Sequence, residues 1–185
     1  MEQRVLVTYA TKHGATGEIA AKIGEVLNDA GLPTDVVPTY QVGDVAPYGA
    51  VVLGSAVYIG RWQKQAVKFL QDNQDLLKAK DVWLFSSGPT GAGDPEELLK
   101  GWRLPEKLQP VVDIIQPRDI AVFHGVLNKQ DLNFLENWMI KTVKAETGDF
   151  RDWDAITAWA MSISDQLQGT KSQTTESQRQ GAETE

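Results

Sequence analysis

The sequence predicts an α/β fold, a doubly wound five-stranded parallel sheet in the order 2-1-3-4-5 with helices on both faces. Three observations support this fold class. Short apolar runs alternate along the chain with segments of helical periodicity. Several of the runs are continuously apolar, as expected for parallel strands that are covered on both faces. Finally, a strand, a tight turn and the start of a helix all fall within residues 4–20.

The predicted strands are short and are separated by helical segments or loops. In chain order they are residues 4–7, 34–37, 50–54, 82–85 and 120–123. Right-handed crossovers join parallel strands of this kind. The ligand crevice of such a sheet lies at the carboxyl ends of the first and third strands, where the winding reverses.

Four helical segments accompany these strands. The first follows residue 14 and ends before Gly31, because glycine often terminates helices. A helix within residues 98–115 is interrupted by Pro105 and Pro110, and Asp152 is predicted to cap the last helix. The apolar face of the second helix comprises Trp62, Ala66, Phe69, Leu70 and Leu77. That of the last helix comprises Trp153, Ile156, Ala160, Ile163 and Leu167.

The predicted domain spans residues 1–168 and contains an insert at residues 125–151, after the fifth strand. The insert has a helical pattern of its own, and it is either an extra helix packed on the core or a cap beside the crevice. Residues 169–185 are polar and cannot form a core, so we expect a disordered tail. The helical pattern of the insert is carried by Leu132, Leu135, Met139 and Val143, with Phe134 and Trp138 beside them.

The composition excludes several functional classes. With no cysteine among the 185 residues, the chain has no disulfide, thiolate zinc site or thiol nucleophile. A net charge of −7 argues against nucleic acid as a partner and gives no support for contact with an anionic membrane surface. No apolar run is long enough to span a bilayer and no export signal is evident, so we expect no transmembrane segment and a cytoplasmic location.

The stretch at residues 8–20, TYATKHGATGEIA, has the composition of a phosphate-binding turn. Gly14 allows backbone amides to close around an anion, and Thr11 and Thr16 supply hydroxyl donors. The start of the following helix adds N–H groups and the positive end of its dipole. This pattern predicts a phosphate cradle that needs no basic side chain. The alternative is an ordinary turn between strand and helix, capped by Thr16.

Three loops converge on the predicted crevice, at residues 9–16, 55–62 and 86–90. Their contents suit a flat, polar-edged ring that carries a phosphate tail. In the second loop Tyr58 and Trp62 are both able to stack on a ring, although Trp62 also begins an apolar helical face, which favours a core position. The third loop is rich in small residues that let the backbone approach a ring edge, and its alternative interpretation is a solvated turn.

The two histidines do not indicate a catalytic or metal site. His13 lies in the phosphate turn, where it either touches the phosphate or lies in water. His124 ends the fifth strand, where a hydrogen-bonded structural role is favoured over proton transfer. Neither has carboxylates at metal-ligand spacing, so we expect no metal ion and assign no catalytic residue. The motifs GxGxxG and GxxxxGK(S/T) are absent after the first strand, which argues against two other nucleotide-binding classes.

With these loops in place, the chain resembles the flavodoxin-like FMN-binding family. The turn Thr11-x-x-Gly14-x-Thr16 is similar to its phosphate loop. Within that family, the chain is most similar to the branch that contains the menaquinone-dependent protoporphyrinogen dehydrogenases, or oxidases. This similarity depends on the phosphate turn, on VVLGSAVYIGRW at residues 51–62, and on the insert with Trp138 and Gly148, followed by Trp153.

The resemblance implies noncovalent FMN and a redox function, with electrons passing to a quinone or another acceptor. It implies a small-molecule or protein redox partner, a porphyrinogen or a quinone among them. The alternatives are a flavodoxin-type electron carrier that docks on redox proteins, and an interaction domain without flavin. The residues implied to contact FMN are Ala10, Thr11, Lys12, His13, Gly14, Ala15, Thr16, Ser55, Ala56, Val57, Tyr58, Ile59, Gly60, Ser87, Gly88, Pro89 and Thr90.

Overall fold

The computed structural model describes residues 4–128 and 146–182, with side chains as far as residue 169. The strands are β1 (Val5–Ala10), β2 (Thr34–Pro38), β3 (Ala50–Tyr58), β4 (Arg61–Trp62), β5 (Asp81–Ser87), β6 (Asp119–Phe123), β7 (Val126–Leu127) and β8 (Gly148–Asp149). The helices are α1 (Ala15–Asp29), α2 (Lys64–Leu77), α3 (Pro95–Leu98), α4 (Gln109–Ile115) and α5 (Trp153–Ala182), with 3₁₀ turns at Thr39–Gln41 and Glu106–Leu108.

The main sheet confirms the predicted topology. Its five long strands are parallel and lie in the order β2-β1-β3-β5-β6, which is the predicted order 2-1-3-4-5. The short strand β4 is a hairpin partner of β3 and pairs with it antiparallel. The register places Ala10 at the end of β1 beside Ser55 of β3. The carboxyl ends of the first and third long strands therefore meet at the reversal of the winding.

Two apolar cores cover the two faces of the sheet, because successive side chains of a strand point to opposite faces. Val5 and Val7 of β1 belong to the core formed with α1 and α5, whereas Leu6 belongs to the core formed with α2 and α4. Ile23 of α1 and Leu70 of α2 are both fully buried. The structure thus has the predicted helices on both faces, and the loops at the carboxyl edge rest on a packed three-layer scaffold.

Several element boundaries differ from the sequence prediction. Strand β3 continues to Tyr58, four residues beyond the predicted end at 54, because Ser55 and Ala56 still pair with β5 and the chain then folds back as β4. Trp62 lies in β4 and not on a helical face. Its spacing of four residues from Ala66 imitates a helix, and both side chains do pack in one core. The helix predicted within 98–115 is α4, and Pro110 lies in its first turn, where proline is tolerated.

The last helix begins as predicted. The Ala155 N–H donates to Asp152 Oδ1 at 2.9 Å, which confirms Asp152 as the cap. Ile156, Ala160 and Ile163 are fully buried, but Trp153 is 38% exposed and lies outside the core. The Arg151 guanidinium lies 4.6 Å from the centre of the Trp153 ring, and this contact explains how the indole is held outside the core.

The last helix also runs further than the composition suggests. The backbone of α5 is helical to Ala182, whereas the polar residues from 169 onward predict a disordered tail. Continuing an existing helix needs no new nucleation, so a polar segment without proline extends it. The domain boundary at 168 stays a prediction. The predicted helical pattern at residues 132–143 lies outside the described residues, but the two ends of the insert pair with each other as β7 and β8.

Candidate functional site

The first loop (residues 10–16) joins the carboxyl end of β1 to the start of α1. It contains a left-handed residue, Gly14, which is the N-cap of α1 with φ 93° and ψ −29°. Glycine adopts this conformation without strain. The Gly14 N–H donates to Thr11 Oγ1 at 3.0 Å. Apart from chain neighbours, no atom of a described residue lies within 4 Å of where a Gly14 Cβ would stand. The first loop is therefore a tight turn with open space next to the backbone of Gly14.

The side chains of the first loop suit an anion. Thr16 is 1% exposed, whereas Lys12 and His13 are exposed. Although Thr11 Oγ1 accepts the bond from Gly14, a hydroxyl both donates and accepts, so Thr11 can still donate to an anion. The first N–H groups of a helix also favour negative charge. These residues have the donors that a phosphate group needs, in backbone N–H groups and hydroxyls, and phosphate binding by this loop stays a prediction.

The second loop (residues 55–60) is the top of the β3–β4 hairpin. Tyr58 pairs with Arg61 across a two-residue turn in which Ile59 has φ 50° and Gly60 has φ 64°. Two positive φ angles in succession are what a type I′ hairpin turn requires. Glycine satisfies this without strain, but a β-branched residue does not. Ile59 is thus a strained residue, and its side chain is 69% exposed.

Hydrogen bonds under the second loop hold the hairpin in place. Trp62 is 5% exposed, and its Nε1–H donates to Ser86 Oγ at 2.8 Å. Ser86 Oγ in turn donates to the Arg103 carbonyl oxygen at 2.7 Å. Ser55 Oγ accepts from the Gln63 N–H at 2.9 Å. The core position that the pattern favoured for Trp62 is confirmed, and the Ser55 hydroxyl is occupied in supporting the loop.

Tyr58 connects the second loop to the first. The Lys12 ammonium nitrogen lies 4.3 Å from the centre of the Tyr58 ring, within the range of a cation–π contact. The Tyr58 hydroxyl oxygen is buried and has no hydrogen-bond partner among the described residues. Burial raises the pKa of this hydroxyl above its ordinary value. A buried hydroxyl without a partner is costly, and a polar group of a ligand between these loops would relieve that cost.

The third loop (residues 87–90) packs directly against the second. A Cβ at Gly88 would stand 2.8 Å from Val57 Cβ, so only glycine permits this approach. On its other side, Gly88 N–H donates to the Phe123 carbonyl oxygen at 3.1 Å. Ser87 at the end of β5 is paired with Ala56 of β3. The two loops that are predicted to face a ring are therefore in contact with each other.

His124 forms hydrogen bonds with the third loop and with the segment that follows it. Its Nδ1 lies 3.1 Å from the carbonyl oxygen of Pro89 and its Nε2 lies 2.8 Å from that of Gly93. The side chain is 8% exposed. The hydrogen-bonded structural role favoured for His124 is thus confirmed. Thr90 is half-buried beside Pro89.

A cavity of about 250 Å³ lies beside the first loop, and sequence analysis did not predict it. The ends of the insert form one wall. The first loop and the first turn of α1 form the other wall. Arg151 and Glu18 meet there, with Nη1 and Oε2 2.6 Å apart. No sequence pattern joins two residues 133 positions apart. The described residues that line the cavity are His13, Ala15, Glu18, Val126, Leu127, Asn128, Asp149 and Arg151.

A family model described as a flavodoxin domain matches residues 6–154, which include all three loops and the main sheet except for Val5. The chain belongs to the flavodoxin family. The match begins in β1 and ends at the start of α5, so it covers both ends of the insert. This confirms the family resemblance that the phosphate turn and residues 51–62 indicate.

Individual relatives are distant. The protoporphyrinogen IX dehydrogenase [quinone] of Escherichia coli K12 is 20% identical, with 86% of this chain and 94% of that protein covered. An archaeal flavodoxin superposes with a TM-score of 0.60 at 12% identity, covering 90% of this chain and 99% of that one. A flavodoxin from Streptococcus pneumoniae TIGR4 gives a TM-score of 0.51 at 20% identity, covering 76% and 97%. At these identities the structural likeness establishes the fold alone.

Across residues 4–128 and 146–169, no three His, Asp or Glu side chains are grouped so that they could hold a metal ion. In the part of the chain that is described, no helix is both long and apolar enough to cross a membrane. The cytoplasmic location stays a prediction, as do the individual ligand contacts.

Proposed function

We propose that this flavodoxin-family protein binds FMN noncovalently and acts as a redox protein. The first loop carries the proposal: Gly14, Thr11 and the start of α1 form a tight turn at the reversal of the winding, with the donors that would suit an anion. The second and third loops, in contact through Val57 and Gly88, lie at the same edge of the sheet. This arrangement suits a planar ring with a phosphate tail.

Each loop has a distinct task in this proposal. The first loop holds the phosphate through Thr11, Thr16 and backbone N–H groups of residues 12, 13, 15 and 16, since the Gly14 N–H already donates to Thr11. The second loop places Tyr58 and the strained tip at Ile59 against the ring. The third loop brings backbone atoms of Gly88 to its edge. When bound, the flavin supplies the electron transfer, and the protein supplies binding, orientation and exclusion of water.

The finer proposal is an oxidoreductase that resembles protoporphyrinogen dehydrogenase and passes electrons from a porphyrinogen to a quinone or another acceptor. Support comes from the similarity to the E. coli enzyme, which extends over 94% of that protein. The paired ends of the insert also lie next to the first loop, through Arg151 and Glu18. An electron carrier for partner proteins is the second candidate, favoured by the net charge of −7 and by the exposed Ile59.

Titration of the protein with FMN and with riboflavin tests the cofactor assignment. Thr11→Ala combined with Thr16→Ala should weaken FMN by about a hundredfold, because two hydrogen bonds to a charged group are lost. Riboflavin, which has no phosphate, should bind almost unchanged. The matched control is Thr11→Ser with Thr16→Ser, which keeps both hydroxyls. Equal losses for the two ligands would contradict the phosphate role of the first loop.

Turnover separates the remaining candidates. The FMN-loaded protein should oxidise protoporphyrinogen with a quinone as acceptor. If no quinone supports turnover but a redox protein does exchange electrons with it, the carrier is the correct assignment. A protein that stays colourless after incubation with FMN is instead an interaction domain without flavin.

A further inference from the structure

The cavity beside the first loop brings charged side chains close to the proposed phosphate position. His13 and Ala15 of the first loop line it together with Glu18, Asp149 and Arg151. A ligand phosphate held at the start of α1 is therefore a neighbour of these side chains. This inference rests on the proposed binding of FMN.

Two of these side chains are unfavourable for a dianion. Glu18 lies in the first turn of α1, and its carboxylate is attracted to the same helix end that the phosphate would use. Asp149 adds a second carboxylate to the wall of the cavity. Like charges at close range repel, and because the Glu18 and Asp149 side chains are 63% and 49% exposed, this repulsion is moderated by solvent and sensitive to salt.

Arg151 pairs with both carboxylates, and its positive charge offsets one of their two negative charges. Its Nε and Nη2 donate to the two oxygens of Asp149 at 2.9 Å and 2.6 Å, and its Nη1 donates to Glu18 at 2.6 Å. Only 8% of the Arg151 side chain is exposed, so these bonds are shielded from solvent on the guanidinium side. The hydrogen bonds from Arg151 hold the pKa of Asp149 below its ordinary value, against a smaller opposing effect of burial.

We propose that Arg151 is a positioning residue for the flavin phosphate, acting through Glu18 and Asp149: its single positive charge balances one of their two negative charges, and its hydrogen bonds hold both carboxylates in place beside the first loop. The phosphate cradle itself uses backbone and hydroxyl donors. Arg151 reduces the repulsion that would otherwise oppose a dianion there. Since Arg151 lies two residues after the end of β8, the same contacts couple the base of the insert to flavin affinity.

The proposal predicts a specific pattern of affinities. Arg151→Gln should raise the Kd of FMN by about tenfold, because one more uncompensated negative charge then lies near the phosphate, while the Kd of riboflavin changes less than about twofold. Adding salt should strengthen FMN binding to Arg151→Gln more than to the wild type, because ions screen the uncovered carboxylates. Glu18→Gln in the Arg151→Gln background should restore most of the FMN affinity.

A matched control removes an equivalent ion pair elsewhere. Arg118 pairs with Asp81 at 2.6 Å, and Asp81 begins β5 at the opposite, amino-terminal edge of the sheet. Arg118→Gln should leave the ratio of FMN to riboflavin affinity unchanged. A change in this ratio equal to that of Arg151→Gln would overturn the proposal.

The outcomes distinguish this inference from the proposed function. If the wild type binds FMN tightly but Arg151→Gln loses FMN and riboflavin equally, Arg151 is only structural and the inference is wrong. Failure of Glu18→Gln to restore FMN affinity also overturns it. If the wild type binds neither ligand, the proposed function fails, and this inference fails with it.

Discussion

Arg151 Nη1 and Glu18 Oε2 lie 2.6 Å apart although the two residues are separated by 133 positions in the chain. Glu18 belongs to the first turn of α1, and Arg151 follows the last strand of the insert. The contact therefore fixes the ends of the insert beside the first loop. The two placements that the sequence left open, an extra helix on the core or a cap beside the crevice, concern residues 132–143, which lie outside the described residues.

The pairing of Arg151 with Asp149 predicts a pH dependence of stability. The pKa of Asp149 is lowered in the folded protein, chiefly by the hydrogen bonds from Arg151. A carboxylate whose pKa is lower in the folded state stabilises the fold above its unfolded pKa, near 4. This stabilisation is lost as the pH falls through the folded-state value. We expect the difference in unfolding free energy between wild type and Asp149→Asn to be largest near neutral pH and to shrink below pH of about 4.

Chemical denaturation of both proteins at a series of pH values measures this difference. Asp75→Asn is the control, because Asp75 lies on the surface of α2 with 86% of its side chain exposed. Asp75→Asn measures how far the loss of an exposed carboxylate alone changes the unfolding free energy over the same range of pH. A gap between wild type and Asp149→Asn that stays constant down to pH of about 2 would contradict the prediction.

Trp62→Phe should destabilise the hairpin that presents the second loop. The change removes the bond from Nε1 to Ser86 Oγ and leaves part of the buried volume empty. Losses of this kind cost about 1–3 kcal/mol in unfolding free energy. Urea denaturation measures the loss, and titration should show FMN and riboflavin weakened alike, because both need the loop in place.

Trp159→Phe is the matched control for this change. Its indole Nε1–H donates to Asp119 Oδ2 at 2.7 Å, far along the chain from the second loop. We expect Trp159→Phe to lower stability without altering the affinity for either ligand. If the two variants reduce ligand affinity equally, the anchoring role of Trp62 is wrong.

The fold was predictable because its signals are local. Runs such as residues 50–54 are apolar on both faces, and the turn at Gly14 joins a strand to a helix within a few residues. Both features follow from the backbone geometry of single elements. The Asp152 cap was predictable for the same reason, since capping depends on neighbouring residues.

Features that depend on tertiary contact were not predictable. Strand β4 has two residues, too few for a periodic pattern, and Trp62 therefore imitated the start of a helix. The pairing of Arg151 with Glu18 depends on how the insert returns to the sheet. The position of Arg151 directly before the helix cap Asp152 was a signal in the sequence. Nothing in the sequence, however, identifies Glu18 as the partner of Arg151.

Gly88→Ala should reduce the affinity for the flavin ring and not specifically for the phosphate. The new Cβ would stand 2.8 Å from Val57 Cβ and force the second and third loops apart. Overpacking of this kind costs about 1–3 kcal/mol, so we expect FMN and riboflavin each to bind about tenfold more weakly. Fluorescence titration with both ligands measures the ratio. Gly43→Ala is the control, because no described atom outside its chain neighbours lies within 4 Å of its Cβ position.

A selective loss of FMN by Gly88→Ala, with riboflavin unaffected, would place the third loop at the phosphate and contradict the assignment of the three loops. Gly88→Ala should weaken FMN and riboflavin together, whereas Arg151→Gln should change the ratio of FMN to riboflavin affinity.

Ile59→Asn should stabilise the protein, although it replaces an apolar residue by a polar one. Ile59 has φ 50° and precedes Gly60 with φ 64° in a two-residue hairpin turn. Asn-Gly is the preferred pair for such a turn, whereas a β-branched residue in the left-handed region is strained by about 1–2 kcal/mol. Because 69% of Ile59 is exposed, little burial is lost. We expect the unfolding free energy to rise by about 1 kcal/mol, measured by urea denaturation without ligand.

Ile114→Asn is the matched control for the strained turn. Ile114 is 47% exposed on α4, where its backbone is helical. Asparagine is a weaker helix former than isoleucine, so this variant should be slightly less stable than wild type. If Ile59→Asn also lost stability, the turn would not be strained at Ile59. If it gains stability but binds FMN and riboflavin more weakly, the strained side chain is retained for contact with the ring, as expected of a functional site that departs from local preference.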